Sequence, residues 1–295
     1  MKAVKILVAI ALAQLASAGS QAQAPATIGD SFLSLSIDVS NVGLTGSCLI
    51  YFGADGTFMQ LSLILGNASA GGTVYSPSST GTYTYTPSTS DPNQASIVLT
   101  LAQPTSSVVG YFMTVEYAAA TTGAMTFAPQ SQYGPMYYAQ GTFSQLVHAE
   151  NDFLTNVSNR VTLRPSDTAI SGFVVQGGGN RLVLVRAVGP TLAQFGVNPV
   201  SKNPQLGIFQ GTGATQIATG QIWDSGASVT MGYDAQAMSW VFSKAGAFPL
   251  GAGSNDVAFF SVLSPGVYTA QTFDATMAAA GGSALTEVYI LPYSG

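Results

Sequence analysis

Alternation of apolar and polar residues, in short runs between turn residues, is the feature that most constrains this fold. From residue 33 to residue 40 every second residue is apolar, which places Leu33, Leu35, Ile37 and Val39 on one face of an extended chain. Similar runs, separated by glycine, proline and asparagine, recur in both halves of the chain. A period of two residues, with almost no helical period, predicts an all-β protein.

The first half of the chain contains runs that predict about eight short strands. They lie at 33–40, 46–52, 57–65, 81–87, 95–102, 109–119, 122–128 and 139–146. Turn residues separate them, as at Gly53-Ala54-Asp55-Gly56 and Asp91-Pro92-Asn93. This density of short strands predicts a small antiparallel β-barrel or a sandwich, and the sequence leaves both open.

The second half of the chain predicts a β-sandwich with one short helix. Strands are predicted at 169–176, 180–188, 256–263, 266–273 and 284–291, and one helical turn at 190–195. The cluster Gly177-Gly178-Gly179 predicts a hairpin between the first two strands, and Pro265-Gly266 turns the next pair. Residues 234–244 predict the helix, because Asp234 suits an N-cap and Gly246 lies just past the end.

Charged residues make up only 7% of the chain, against about 25% in typical soluble domains. Their distribution is uneven, because no lysine or arginine lies between Lys5 and Arg160. All the charged residues within 25–148 are therefore acidic. Because binding to phosphates requires lysine or arginine, this argues against nucleic acid as a partner. The change in composition near residue 150 predicts a boundary between an N-terminal domain, 25–148, and a C-terminal domain, 149–295.

The first residues predict export by a cleavable signal peptide. Two lysines precede an apolar run over residues 6–15, and Ala16-Ser17-Ala18 follows. Cleavage is predicted after Ala18 or Ala22, within a signal region 1–24. The apolar run is too short to span about 30 Å of hydrocarbon, and no later segment is long and apolar enough. The mature protein is therefore predicted to be secreted and to lie outside the cell, on its surface or in the periplasm.

Motifs in both halves carry a family resemblance. In the second half they are LTNVSNR (154–160), ISGFVV (170–175), LVLVRAVGPTLAQFGV (182–197), NPQLGIF (203–209), GAFPL (246–250), NDVAFFSVLSPGVYTA (255–270) and ALTEVY (284–289). This half resembles an uncharacterised β-domain family of secreted bacterial proteins. The first half is similar to a Thr- and Tyr-rich β-module with a calycin-like plan, in GTYTYTP (81–87), SIVLTLA (96–102), MTVEYA (113–118), TGAMTF (122–127) and QGTFSQ (140–145). The resemblance implies secretion and β-architecture, and it implies no activity.

The inventory of titratable residues argues against most catalytic chemistries. His148 is the only histidine and Cys48 the only cysteine, so a Ser–His–Asp triad or a typical zinc site is not expected. Cys48 is predicted to be a small buried residue of a strand. Pairs drawn from Glu116, Asp224 and Glu287 keep glycoside hydrolysis as an alternative. No catalytic residue is assigned, and the chain is predicted not to be an enzyme.

Arg186 and Glu287 lie inside apolar strands, where a charge is tolerated only when it is paired. The sequence therefore predicts a structural ion pair between Arg186 and an acid of the same domain. Glu287 is the first choice for this acid, and Asp256 is the second.

Two further sets of residues are candidates for binding. Tyr133, Tyr137 and Tyr138 form a predicted loop patch, and Trp223 beside Asp224 could stack on a sugar ring. Aspartate and asparagine oxygens at positions 224, 234, 255 and 256 make Ca²⁺ a candidate cofactor, although the sequence contains no recognised calcium motif. No other metal or cofactor is predicted.

These features predict an exported, non-enzymatic β-protein with a structural, adhesive or ligand-binding role. Its expected partner is a glycan or another surface protein. The alternatives are a carbohydrate-binding module and, second, a carboxylate-dependent glycoside hydrolase.

Overall fold

The computed structural model of the protein describes residues 22–39, 43–67, 73–75, 77–104, 108–131, 138–146, 156–177, 179–211, 215–225, 233–276 and 281–291. Strands β1 to β9 are Ser31–Val39, Leu44–Phe52, Thr57–Asn67, Thr73–Tyr75, Ser79–Pro87, Gln94–Leu101, Gly110–Ala119, Thr122–Gln130 and Ala139–Leu146. Strands β10 to β18 are Asn156–Leu163, Ala169–Val175, Arg181–Val188, Pro204–Gln210, Thr215–Thr219, Gln221–Ile222, Val257–Leu263, Gly266–Asp274 and Gly282–Ile290. A 3-10 helix spans Pro190–Phe195, and helix α1 spans Ala235–Ala245. The protein is all-β, as predicted.

Strands β1 to β9 form a closed antiparallel barrel, which decides between the two predicted architectures. The sheet runs in the order β2-β1-β9-β8-β7-β6-β5-β3-β4, and the pairing of β2 with β3 closes a ring of eight strands. Strand β4 adds to the edge of β3. Closure leaves the ring without an open edge, which protects a sheet that carries few charges.

The interior of the barrel is packed with apolar side chains. Leu33, Leu35, Ile37 and Val39 are all buried there, as the alternation of β1 predicts. The segment before β1 also belongs to this core, since Ile28 is fully buried in the same cluster. The barrel is therefore built around its own side chains.

The second half of the chain forms two sheets that share one apolar core. A five-stranded sheet has the order β10-β18-β12-β16-β15, and a four-stranded sheet has the order β11-β17-β13-β14. Every residue of β12 is buried, because the core cluster contains residues of the facing sheet and of helix α1. A strand covered on both faces explains the continuous apolar run at 182–185.

Both hairpins predicted in this half are wrong. Strand β11 pairs with β17, whereas β12 pairs with β16 and β18 in the other sheet. Gly177 and Gly179 therefore lie on a crossover between sheets, and Pro265-Gly266 likewise joins strands of different sheets. Turn residues show where the chain reverses, but they do not show which sheet receives the next strand.

Helix α1 lies where the sequence predicts it and joins the sandwich to the barrel. The carboxylate of Asp234 accepts the amide of Ala237 at 2.9 Å through Oδ1 and the amide of Ser78, in the barrel, at 2.8 Å through Oδ2. The ring of Trp240 lies 4.8 Å from that of Tyr51 on β2. The N-cap residue of helix α1 therefore also bonds the barrel, and the helix contacts both halves of the chain.

Several sequence predictions fall outside the described residues. They are the signal-peptide core and Ala18, His148, and the boundary near residue 148. Within the described ranges, the structure contains no helix with the length and apolar character needed to cross a bilayer.

Candidate functional site

A cleft of about 750 Å³ opens at one rim of the barrel, facing helix α1. Its barrel side comes from the residue before β1, the β2–β3 turn, and the adjoining ends of β3, β5 and β6. Its other side comes from Trp240 and Lys244, one turn apart on α1. The cleft combines two carboxylates, one ammonium group, aromatic rings and several threonine hydroxyls.

The turn between β2 and β3 holds the first carboxylate, that of Asp55. Its Oδ1 accepts the amide of Thr57 at 3.0 Å and the hydroxyl of Thr57 at 2.6 Å. A Cβ atom at Gly53 would lie 2.5 Å from this Oδ1, so a residue larger than glycine would displace the carboxylate. The hydroxyl and amide bonds from Thr57 lower the pKa of Asp55 below its usual value, so the exposed carboxylate is ionised at neutral pH.

The second carboxylate, Asp30, is linked to Lys244 through a tyrosine hydroxyl. Lys244 Nζ donates to Tyr51 Oη at 3.2 Å, and Tyr51 Oη donates to Asp30 Oδ1 at 2.8 Å. The ammonium also lies 4.7 Å from the Tyr51 ring centre and 5.5 Å from that of Trp240. Asp30 adopts a left-handed backbone with φ of 55°, which is uncommon for a residue other than glycine.

Hydroxyl groups complete the lining of the cleft. Thr80, Thr82 and Thr100 line the barrel wall beside the half-buried ring of Trp240. Threonine hydroxyls donate and accept, and carboxylates accept only, so this wall can bond a ligand rich in hydroxyl groups. The indole offers an apolar surface with a polar edge for the ring of such a ligand.

The ion pair proposed between Arg186 and Glu287 is present in the five-stranded sheet. These residues lie directly opposite each other on β12 and β18, so their side chains share a face. Arg186 Nε donates to Glu287 Oε2 at 3.0 Å, and Nη2 donates to the same oxygen. Arg186 is 0% exposed and Glu287 is 4% exposed. Arg186 Nη1 donates to the carbonyl of Phe248 at 2.6 Å, so the buried guanidinium has several partners.

Tyr289 completes this buried group. Its hydroxyl donates to Glu287 Oε1 at 2.7 Å. Burial, and then the bond to Glu287, raise the pKa of Tyr289 to about 12, so the hydroxyl stays protonated. The arrangement provides donors to both carboxylate oxygens of Glu287.

Asp256, the second choice as partner of Arg186, accepts a different set of donors. Its Oδ1 accepts the amide of Gly189 at 2.7 Å, and its Oδ2 accepts the amide of Thr191 at 3.1 Å. The hydroxyl of Thr191 and that of Ser254, at 2.7 Å, also donate to Oδ2. This fully buried carboxylate therefore fixes the start of the 3-10 helix.

Of the aromatic residues predicted as ligand contacts, the two that the structure describes, Tyr138 and Trp223, are not among the residues that line the cleft. Tyr138 is 68% exposed, whereas Tyr133 and Tyr137 lie outside the described residues. Trp223 is half-buried against the core of the sandwich, and its Nε1 donates to the carbonyl of Gly251 at 3.2 Å. Trp240, which the sequence reasoning missed, is the tryptophan that lines the cleft.

The three acids considered for glycoside hydrolysis belong to separate places. Glu116 lies on β7 between the inward-facing Val115 and Tyr117, and so it projects from the outer face of the barrel. Glu287 is held in the buried ion pair. Asp224 follows β15, three strands from β18 in the sheet order, or about 14 Å at ordinary strand spacing. A hydrolytic pair needs a separation of about 5–9.5 Å.

The acids considered for Ca²⁺ each accept protein donors. Asp234 caps α1, Asp256 fixes the 3-10 helix, and Asp224 Oδ2 accepts the amide of Gly253 at 2.6 Å. Among the described residues, no three histidine, cysteine, aspartate or glutamate side chains group as a metal site. Cys48 is buried in the barrel core, as predicted, and burial raises its pKa to about 12.

No protein-family model matches this chain, and no curated protein matches it significantly. Among solved structures, a pre-peptidase C-terminal domain of a collagenase from Bacillus anthracis is similar with a TM-score of 0.26 and 12% identity, covering 46% of this chain and 89% of that one. An exo-β-1,3-galactanase from Phanerochaete chrysosporium has a TM-score of 0.21 and 8% identity, covering 87% and 68%. A β-porphyranase of glycoside hydrolase family 86 from Bacteroides plebeius has a TM-score of 0.21 and 13% identity, covering 87% and 38%. Likenesses this low support neither a family nor an activity.

Proposed function

We propose that this chain is an exported, non-enzymatic binding protein that takes a carbohydrate in the cleft between the barrel rim and helix α1. The observation that carries the proposal is the composition of the cleft wall. An ionised Asp55, the threonine hydroxyls and the half-buried ring of Trp240 line one space of about 750 Å³. Such a wall offers hydrogen bonds to sugar hydroxyls and an apolar surface for a sugar ring.

The lowered pKa of Asp55 argues against a role for this residue as the general acid of a glycoside hydrolase. A glycoside hydrolase needs one carboxylic acid whose raised pKa keeps it protonated near neutral pH. The pKa of Asp55 shifts in the opposite direction, because Thr57 donates two hydrogen bonds to its ionised form. We therefore assign this carboxylate to the recognition of ligand hydroxyls.

Export is the second part of the proposal. The signal-peptide pattern over residues 1–24 and the low charge of the chain support it. The resemblance of residues 154–289 to a β-domain family of secreted bacterial proteins supports the same compartment. A glycan bound at the cell surface or outside the cell would suit this location.

Carbohydrate binding can be tested with a glycan array. The mature chain is applied to immobilised glycans, and the best neutral oligosaccharide is then titrated by calorimetry. We expect Asp55→Asn to weaken binding by at least about 10-fold, because a hydrogen bond to a charged group contributes about 1.5–3 kcal/mol. Glu116→Gln, the matched change on the outer face of the barrel, should leave the affinity unchanged.

Two results would contradict the proposal. One is an unchanged affinity in Asp55→Asn, which would remove the cleft as the site. The other is release of reducing sugar by the wild-type chain that disappears in Asp55→Asn, which would make the protein a hydrolase.

A further inference from the structure

A second hollow, of about 590 Å³, lies between strand β10 and the loop that follows the 3-10 helix. Among the described residues, it shares no lining residue with the cleft at the barrel rim. Arg160 is the one charged residue among its described lining residues. The chain has a net charge of −5, whereas the described lining of this hollow contains a cation and no acid.

Strand register places three donors of this hollow on one face. Arg160 and Thr162 are two residues apart on β10 and are both exposed, so they project from the same face. Ser283 lies directly opposite Thr162 on β18 and therefore shares that face. A guanidinium and two hydroxyls thus point toward one space.

The loop that forms the other wall is held firmly against β18. The amide of Ser201 donates to the carbonyl of Ser283 at 2.9 Å, and the amide of Ser283 donates to that of Pro199 at 2.9 Å. A side chain at Gly282 would come within 2.5 Å of the backbone at Val200, so only glycine allows this close approach. These contacts fix the position of Asn198, which also lines the hollow.

Phe195 contributes an apolar surface at the mouth of the hollow. The side chain is 62% exposed, although its ring packs edge-to-face against Phe248 with centres 5.2 Å apart. The 3-10 helix that carries it is anchored by buried Thr191 and Leu192, and Asp256 accepts amides at its start. The exposed ring is therefore fixed, which lowers the entropic cost of using it for binding.

We propose that this hollow binds an organic carboxylate that carries an apolar ring. The guanidinium of Arg160 matches a carboxylate with two parallel hydrogen bonds, and the hydroxyls of Thr162 and Ser283 can donate to its oxygens. The apolar part of the ligand lies against Phe195. Within the described part of the chain, no acid forms a salt bridge with Arg160. The ligand carboxylate supplies that partner.

Three probes test the contributions of the ligand's charge and of its ring separately: benzoate, benzamide and inorganic phosphate. Benzamide keeps the ring without the charge, and phosphate keeps the charge without the ring. Each probe is titrated into the mature chain at low ionic strength, where exposed charges are least screened, and chemical shifts are followed by NMR. We expect benzoate to bind about 10-fold more tightly than either of the other probes.

Variants locate the binding in the hollow. Arg160→Gln should abolish the preference for benzoate over benzamide. Arg164→Gln, which removes an exposed cation outside the hollow, should preserve it. Phe195→Ser should weaken benzoate binding about 5-fold while leaving phosphate binding unchanged, because it removes the aromatic surface and keeps the guanidinium of Arg160. This variant also provides an independent test if Arg160→Gln does not fold.

The proposal is overturned if benzamide or phosphate binds as tightly as benzoate. It is also overturned if a folded Arg160→Gln, or else Phe195→Ser, binds benzoate with wild-type affinity. Failure here leaves carbohydrate binding at the barrel rim unaffected, because the two sites share no described lining residue.

Discussion

The barrel and the sandwich bury polar groups in different ways. Inside the barrel, Tyr117 Oη donates to Gln145 Oε1 at 3.2 Å, and Gln145 Nε2 donates to Ser31 Oγ at 3.2 Å. The three side chains that these hydrogen bonds connect are uncharged. The sandwich instead buries Arg186 against Glu287, both almost fully removed from solvent. Among the described residues, the half that lacks cations has a neutral polar core, whereas the half that has cations buries both Arg181 and Arg186.

Only 7% of the residues in this chain are charged, and the two halves place these residues differently. The acids of the barrel rim have no cation in their own half, and Lys244 of helix α1 supplies one through Tyr51. At the seam between the halves, where Lys244 of helix α1 faces Tyr51 and Asp30 of the barrel, the acids of the barrel rim therefore come near a cation. The seam is also where the cleft opens, which connects the charge distribution of the sequence to the proposed binding site.

The largest expected effect is the loss of the buried ion pair. Glu287→Gln leaves the guanidinium of Arg186 without its counter-charge, and we expect a loss of about 3–5 kcal/mol in the free energy of unfolding. Urea denaturation at neutral pH measures it. Glu116→Gln, on the outer face of the barrel, should change stability by less than about 0.5 kcal/mol.

The double change Arg186→Met with Glu287→Leu sharpens this test. Removing both charges leaves no uncompensated ion, so most of the stability should return. An unfolding midpoint of Glu287→Gln equal to that of the wild type would contradict the role given to the pair.

An intermediate effect is expected at the seam. Asp234→Ala removes the N-cap of α1 and the acceptor for the amide of Ser78, at an expected cost of about 2 kcal/mol. Partial burial alone would raise the pKa of Asp234, but the amide bonds outweigh it and lower the pKa below its usual value. The stabilisation is therefore present above about pH 4 and is lost as pH falls through the lowered pKa.

Thermal unfolding as a function of pH checks this prediction. The difference in stability between the wild type and Asp234→Ala should be constant from neutral pH down to about pH 5 and should shrink below about pH 4. A difference that grows on acidification would show that the carboxylate does not act in its ionised form.

The smallest expected effect lies in the neutral core of the barrel. Tyr117→Phe removes one hydrogen bond to Gln145, and we expect a loss of about 1 kcal/mol in the free energy of unfolding. Calorimetric unfolding measures it beside Glu287→Gln under identical conditions. A cost for Tyr117→Phe equal to that of Glu287→Gln would remove the contrast between the two cores.

The sequence predicted the local elements better than their connections. Strict alternation identified the inward face of β1, and Asp234 with Gly246 identified the ends of α1. The assignment of β11 and β12 to different sheets required tertiary packing. Their sequences differ, since residues 182–185 of β12 are a continuous apolar run whereas Ser171 and Gly172 interrupt β11, and that contrast was the available signal.

The candidate site was harder to predict for a similar reason. The turn at 53–56 was recognised, but its carboxylate meets Lys244 and Trp240 only because helix α1 docks on the barrel rim. Residues almost 190 positions apart cannot be joined by local periodicity. By contrast, Arg186 and Glu287 could be paired in advance, because a charge in an apolar strand requires a partner.

Tryptophan fluorescence tests the central claim, that a carbohydrate binds at the seam. The chain has two tryptophans, Trp240 in the cleft and Trp223 against the sandwich core. Cellohexaose, laminarihexaose and chitohexaose are titrated into the wild type and into the Trp223→Phe and Trp240→Phe variants. The account predicts that at least one sugar changes the emission of the wild type and of Trp223→Phe, and that Trp240→Phe does not respond. A response that persists in Trp240→Phe and disappears in Trp223→Phe would contradict it.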